Sequence, residues 1–511
     1  MIQPGKPTWK NVLDIIAWSV LFAIAYSQSP LYTSNQNQYF LHGLARAGLG
    51  TLSSDWLAIT RDPTPVFSLL VEFSYRYLRF EPIFYLYYTA LMGLYLFSLY
   101  GIASMLFNIS SSKTRVLFFL AALITIHSAG LRFALSRIVG VNWAYLLEDG
   151  VADQRILGPV FQPSAFGVLL IFSIYLFLRG YRFSAVLAAV LAAVVHPTYL
   201  LAAASLTLSY LIITWTEEHR HKQVVTMGLL ALLTAAPIIL YSWDIFSGGA
   251  TEATIQARQI LVDFRIPHHA QIEQWLDATV VVKLLIIALS LYLVRGTRIF
   301  GVLLVSAIVA LTLTLVQVIT KSTSLALVFP WRISTYLLPI GTTIFSAWIV
   351  DHLLSLAWFN SPRRQKVIEL ISILLITLSV LVGGIRFKLD WERKATSPER
   401  KVEAYILTHH SVEDTYLIPV KLQDFRLAAG TPAYIDFKSI PYRAEDVLEW
   451  HRREILADQF YQTLDCDILA MIISEGSITH VMIESDRPLL NCDTLAEIYR
   501  DPFYRIYQIS P

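Results

Sequence analysis

Apolar residues gather in eleven runs along the chain. They lie at approximately 11–27, 83–107, 116–135, 161–178, 183–195, 198–215, 224–243, 280–294, 299–320, 329–356 and 367–386. A helix needs about 20 apolar residues to cross the hydrocarbon core of a bilayer, and most of these runs approach or exceed that length. Short polar connectors separate alternate pairs: SSSKTR, RGYR, EEHRHK, RGTR and SPRRQK. Together with Lys6 and Lys10 they carry thirteen Lys and Arg. Basic residues concentrate on the cytoplasmic side of multi-spanning proteins, so these connectors and the N-terminus are predicted cytoplasmic. The intervening loops, and everything after Leu389, are then external. Eleven crossings satisfy the alternation.

Two stretches take their reading from that count. The segment 64–78, TPVFSLLVEFSYRYL, cannot be a further crossing, because one more span would invert every later loop. Its Glu72 and Arg76 stand four apart and it begins after a proline, which fits a helix lying in the outer interface. The stretch 183–215 must cross twice, as two short half-helices meeting at HPTY, His196 to Tyr199. Proline breaks a helix there, and the freed carbonyls need protein or water as partners. A single tilted, proline-kinked helix is the alternative, and it breaks the charge alternation. The first run, Val12 to Ala25, is followed by no small-residue cleavage site and reads as an uncleaved span.

Composition agrees with a polytopic α-helical membrane protein. The 511 residues are 55% hydrophobic and only 15% charged, and a soluble domain cannot hide that much apolar surface. The charge is uneven. Asp390 to Pro511 holds 21 acidic and 13 basic residues, so the tail is near −8 and the preceding part near +10, the whole chain being +2. An acidic tail on a lipid-embedded body leaves nucleic acid an unexpected partner. The expected organisation is a transmembrane domain, 1–389, with an external loop and interfacial helix at 28–82, followed by a small external α/β domain, 390–511. In the tail, TSPERKVEAYIL predicts a helix with Ser397 as N-cap and Pro398 at its first position. DTYLIPV, PAYIDF, ITHVMIES and FYRIYQI predict strands, and 443–457 a helix. Cys466 and Cys492 form one disulfide if the tail faces an oxidising space, or stand as two free thiols.

The predicted topology collects the polar oddities on the outer side. The first external loop carries Asp55, Arg61 and Asp62. A later one carries WAYLLEDGVADQR, with Glu148, Asp149, Asp153 and Arg155. His196 sits at the outer break, His268 and His269 in the loop 244–279, Lys321 at the end of one crossing, and Arg332 in FPWR at the start of the next. Each has an ordinary structural reading too. Asp55 can cap a short helix, Asp62 before Pro63 can form a turn, Glu148-Asp149 can be a solvated turn, and His196 can cap a helix end. Arg332 is an interface anchor or a phosphate ligand. Adjacent histidines such as His268 and His269 do not easily share one metal. The chain has no Gly-rich nucleotide-phosphate motif, no Ser/His/Asp elbow and no cysteine-based metal cluster.

A first span, a long external loop with an interfacial helix and an Asp, short and broken spans, and an external C-terminal α/β domain together resemble the GT-C class of membrane glycosyltransferases. Those enzymes use polyprenyl-phosphate-linked sugars as donors. Members of the class usually carry an acidic residue, often an adjacent acidic pair, in the first external loop, whereas here Asp55 has no acidic neighbour, Asp62 lies seven residues on, and the pair Glu148-Asp149 comes in a later external loop. GPVFQPSAFGVLL, HPTYLL, FPWRIS and the string from Asp436 to Arg453, DFKSIPY…EWHRR, resemble a group of bacterial multi-spanning membrane proteins without established function. The resemblance implies an inner-membrane protein with its C-terminal domain in the periplasm. It also implies a site in which Asp55 is the catalytic base, Arg332 and Lys321 bind the donor phosphate, Glu148 and Asp149 orient the acceptor or hold a divalent cation, and His196 and Asp62 stand behind them. Two other functions fit the residues. One is a non-catalytic assembly or binding protein with the external domain as its working part. The other is a transporter or flippase of lipid-linked intermediates, favoured by the break at His196-Pro197 but not by the crossings, which hold few ionisable residues apart from Arg132 and Lys283.

Overall fold

The computed structural model describes residues 12–246, 251–476 and 478–510. Lys6 and Lys10, which entered the topology argument, lie outside the described residues. The chain forms two compact units. One comprises the described residues up to Gln28, with Phe84–Tyr241 and Val262–Lys388. The other comprises Ser29–Ile83, Ser242–Leu261 and Leu389–Pro511.

In the first unit every apolar run is helical. Among the described residues six helices are long and apolar enough to span: Ile83–Leu106, Pro197–Glu217, His221–Phe246, Arg298–Thr320, Thr323–Ser355 and Pro362–Ala395. The pair Lys113–Ile126 and Ala129–Ile138, bent by 53°, makes a seventh if taken as one span. Val12–Tyr26, Pro163–Leu178, Arg182–Val195 and Ala278–Leu293 are apolar but shorter. Apolar helices among the described residues therefore number eleven with the bent pair taken as one, while length and composition support six or seven crossings in a multi-pass membrane protein. The bend has a local cause. Ser128 accepts from Leu131 N at 3.1 Å, so an N-cap stands inside the apolar run and starts a new helix.

The break at HPTY is a hairpin. Ser173 Oγ bonds both Ala185 O, at 2.7 Å, and the Tyr210 hydroxyl, at 2.8 Å. A single helix rising about 1.5 Å per residue would hold those two residues more than 30 Å apart. Arg182–Val195 and Leu200–Glu218 therefore lie side by side. Elsewhere small residues set helix contacts, as is usual where lipid removes the hydrophobic drive to associate. A Cβ on Gly383 would come within 2.0 Å of Ile24 O, and one on Gly93 within 2.0 Å of Ser19 Oγ.

The second unit contains a four-stranded sheet: β1 (Tyr416–Leu417), β2 (His480–Glu484), β3 (Leu495–Arg500) and β4 (Tyr504–Ile509), in the order β1-β2-β4-β3. β1 and β2 are parallel and the other pairs antiparallel. Val402, Ile406, Ile418, Phe425, Met482 and Ile506 form its core. Three expectations change here. PAYIDF is not a strand and makes only an isolated bridge, Tyr416 to Ala433. LAEIYR is one (β3); it lies at the sheet edge, mostly solvent-facing, so its sequence lacks the apolar alternation of a half-buried strand. The helix beginning near Pro398 starts at Glu399 with no side-chain cap, and Ser397 Oγ instead accepts from Arg400 Nε at 3.2 Å. The 443–457 helix is longer than expected, Ala444–Thr463. Cys466 and Cys492 are joined in a disulfide.

Ser29–Ile83, which holds the expected external loop and interfacial helix, lies in one compact unit with the tail and is hydrogen-bonded to it. Thr51 N donates to Gly430 O and Trp56 Nε1 to Tyr434 O, each at 2.8 Å. A Cβ on Gly50 would lie 1.9 Å from Gly430 O, so only glycine permits that approach. The interfacial stretch is helical at Pro65–Phe73 and continues as a π-helical turn, Ser74–Leu78, with Glu72 and Arg76 paired at 3.0 Å.

Candidate functional site: a clamped loop of buried charge

The loop between Val141 and Gln162 concentrates the buried charge of the first unit. It begins with a 3-10 turn, Val141–Trp143, and tightens at Gly150, whose N–H bonds Gln154 O at 2.7 Å. A Cβ on Gly150 would meet Ser334 Oγ at 2.4 Å. Ala152 and Asp153 then adopt left-handed backbone, φ 57° and 53°. Non-glycine residues in that region cost about 1–3 kcal/mol each and persist only where the surroundings hold them.

Those surroundings are four groups from separate elements. Lys283, on Ala278–Leu293 and only 3% exposed, donates to Gly150 O at 2.9 Å. Ser334 Oγ accepts from Val151 N at 2.7 Å. His269, on Pro267–Ala270, donates through Nδ1 to Ala152 O at 2.7 Å. Arg332, on the turn Pro330–Ile333, donates to Gln154 Oε1. The loop is thus fixed at residues 150, 151, 152 and 154.

The carboxylates and cations are interleaved. Arg132 donates to Glu148 Oε1 at 3.2 Å, and Arg155 pairs with Asp149 Oδ2 at 3.0 Å. The Tyr145 ring lies near both guanidiniums, 5.3 Å from Arg132 and 4.1 Å from Arg155, a cation–π arrangement. Arg332 also donates to His196 Nε2 at 2.6 Å and Thr198 Oγ1 at 2.8 Å, and stands 5.1 Å from the Tyr199 ring. Since Arg332 can only donate, His196 Nε2 is the acceptor in the neutral ring. Glu148 Oε2, Asp149 Oδ1 and Arg332 Nε are among the buried atoms here with no hydrogen-bond partner among the described residues. Burial pushes the Asp149 carboxyl up to about 7, with Glu148 and Asp153 adding to the rise and Arg155 and Lys283 opposing it. Burial together with His268 holds the His269 ring down to about 3, so it is neutral.

The structure brings together Arg332 and His196, and puts Glu148 and Asp149 on one clamped loop. Lys321 is exposed, in left-handed backbone just after Arg298–Thr320. Asp55 and Asp62 belong to the second unit. Asp55 is 0% exposed. Its Oδ1 caps the helix Trp56–Ile59 by accepting from Leu57 N and Ala58 N, and its Oδ2 accepts from Arg426 Nε at 2.7 Å and Ala433 N at 3.1 Å. Arg426 continues to Asp436, whose Oδ1 accepts from Lys438 N and Ser439 N. With both oxygens occupied away from solvent, Asp55 is built as a structural hub, and a carboxylate in that state has no open position for an acceptor's proton. Asp62 accepts from Thr64 N, Ser68 Oγ and Arg46, the turn role.

Glu148 and Asp149 are each held by an arginine. Among the described residues no three His, Cys, Asp or Glu come together as metal ligands. Sequence reasoning missed Gln154 and Ser334 as parts of the cluster and named Arg155 only among the outer-face charges. It noted Lys283 and Arg132 without assigning them, although an ionisable residue inside an apolar run was the available signal.

Residues 397–455 match the model of a domain of unknown function, DUF6798. That span encloses the string from Asp436 to Arg453. No curated protein matches the chain. Among solved structures, ArnT from Cupriavidus metallidurans bound to undecaprenyl phosphate is similar at 12% identity and a TM-score of 0.49, over 97% of each chain. A likeness of that degree settles neither fold nor activity.

Proposed function

We propose that the chain is a membrane glycosyltransferase of GT-C type that takes a sugar from a polyprenyl-phosphate donor on the external face of the cytoplasmic membrane. The observation that carries this reading is the charge balance of the clamped loop. Arg132, Arg155, Lys283 and Arg332 gather around two buried carboxylates, Glu148 and Asp149, while the further carboxylates Asp153, beside Arg155, and Asp277, toward Lys283, are exposed. Uncompensated buried charge is costly, so an excess of cations favours an anion at the site. A lipid-linked phosphate has the charge to balance it and the tail to reach it from the membrane. The basic cytoplasmic connectors and the disulfide in the tail support the external placement.

In this reading Arg332 and Lys283 offset the charge that develops on the departing phosphate. We place the base at Asp149 rather than at Asp55. A carboxyl near neutral pKa with an uncommitted oxygen is matched to general-base work, whereas a saturated one is not. Asp149 takes the proton of the acceptor hydroxyl, whose oxygen bonds the anomeric carbon as the bond to the phosphate oxygen breaks, inverting that centre. Glu148 holds Arg132, and His196 and Thr198 orient Arg332.

The test is polyprenyl-phosphate binding to the full chain in lipid nanodiscs. Wild type should bind, and Arg332→Ala should lose about tenfold or more, the worth of a charge-assisted contact. Asp149→Asn should still bind. Absence of binding by wild type would overturn the reading and favour a non-catalytic assembly protein, which the saturated Asp55 also fits.

A further inference from the structure

At the C-terminal end of the interfacial helix the second unit has a cleft of about 570 Å³, lined by Ala47, Tyr75, Arg76, Arg79 and Glu81. The backbone makes it. Pro65–Phe73 passes into the wider π-helical turn Ser74–Leu78, which closes with Arg79 N on Ser74 O at 3.2 Å and Arg79 at φ 50°, so the chain turns sharply before Glu81. One face of this helix, with Phe67, Ser68 and Val71, is buried. It packs on Leu41–Ala47 so closely that a Cβ on Gly43 would lie 2.6 Å from Ser68 O. Leu69, Phe73, Tyr77, Leu78 and Phe80 remain exposed. In a multi-pass membrane protein such an unpartnered apolar face belongs at the lipid boundary.

The charges in the cleft are unequal in their commitments. Arg76 is taken by Glu72 and by the Arg46 carbonyl. Arg79 makes no side-chain hydrogen bond or ion pair among the described residues. Glu81 accepts from the Tyr32 hydroxyl at 2.7 Å but has no cationic partner among them. One cleft at the lipid boundary therefore offers an uncommitted cation, a carboxylate and an aromatic ring.

We propose that this cleft binds the headgroup of a zwitterionic phospholipid of the phosphoethanolamine type. Arg79 takes the phosphate, Glu81 and the Tyr75 ring take the ammonium, and the acyl chains run along Phe73 and Tyr77. An anionic glycerol headgroup would leave Glu81 beside a second negative group, and a choline has no N–H to donate to it. The inference does not depend on the transferase reading.

The test uses the purified full chain in detergent, titrated with phosphatidylethanolamine, phosphatidylglycerol and phosphatidylcholine, with bound lipid read by native mass spectrometry. Wild type should retain phosphatidylethanolamine over both others. Arg79→Ala, at an exposed and unpartnered position, should fold and lower that retention about tenfold. Glu81→Gln should abolish the preference over phosphatidylcholine without reducing phosphatidylcholine itself. Soluble glycerophosphoethanolamine should fail to displace the lipid. Equal retention of the three lipids, unchanged binding by Arg79→Ala, or displacement by the soluble headgroup would each overturn the assignment.

Discussion

Two buried clusters of arginine and carboxylate, one in each unit, are built to opposite rules. In the second unit Arg426 bridges Asp55 and Asp436, and every carboxylate oxygen accepts at least one bond, from backbone N–H or from the guanidinium. In the first unit Glu148 and Asp149 each spend one oxygen on an arginine, and the other oxygen of each, like Arg332 Nε, has no partner among the described residues. A fully satisfied buried network rigidifies a fold, whereas a buried polar atom without a partner in a native protein needs a reason. The contrast separates a hub that holds structure from the cluster proposed above to take a ligand, even though both draw on the same residue types.

The largest expected effect would break this contrast if absent. Asp149→Asn should lower transfer by roughly 10²–10⁴, the usual contribution of a general base, with little loss of folded protein. Turnover assayed on the lipid-linked donor, beside thermal unfolding, reads both quantities, and retained turnover would remove Asp149 from the base role. Next comes Arg426→Ala, which strands two buried carboxylates and should destabilise the second unit by about 3–5 kcal/mol, measured as a lowered unfolding midpoint in detergent. An unchanged midpoint would deny that the triad is structural.

The pH dependence sharpens the comparison. Only ionised Asp149 accepts a proton, so turnover should rise as pH passes through about 7 and flatten above it. The same shift has a sign for stability. A folded-state pKa of about 7 against an ordinary 3.8 means that the folded protein holds a proton the unfolded chain has released. Asp149 therefore makes stability fall as pH rises between those values. Asp149→Asn should abolish both trends. The smallest effect belongs to the surface. Glu72→Gln removes a partly exposed pair with Arg76 and a second contact with Arg46, and should cost about 0.5–1 kcal/mol, within reach of careful denaturant titration.

Much of the architecture was legible along the chain because its causes are local. Hydropathy marks a helix by composition over about twenty residues, and each of the eleven apolar runs is helical. Pro197 announces its break by chemistry alone, and Pro65 opens the interfacial helix for the same reason. What failed to show was pairing. β3 is a polar-looking strand because it lies at an edge and pairs only with β4. PAYIDF is strand-like in composition, yet its backbone serves Asp55 and Arg426 instead.

The candidate site divides along the same line. The sequence by itself determined which polar residues stand out: Glu148-Asp149, His196, Arg332, and the ions Arg132 and Lys283 set in apolar runs. Only the tertiary structure decided what each carboxylate does. Asp55 meets Arg426 across 371 residues and is saturated, while Arg332 reaches Gln154 across 178 and helps pin the loop that keeps Asp149 uncommitted on one side. Burial and satisfaction are properties of neighbours brought from distant parts of the chain, so no local pattern around either aspartate distinguishes the hub from the candidate base.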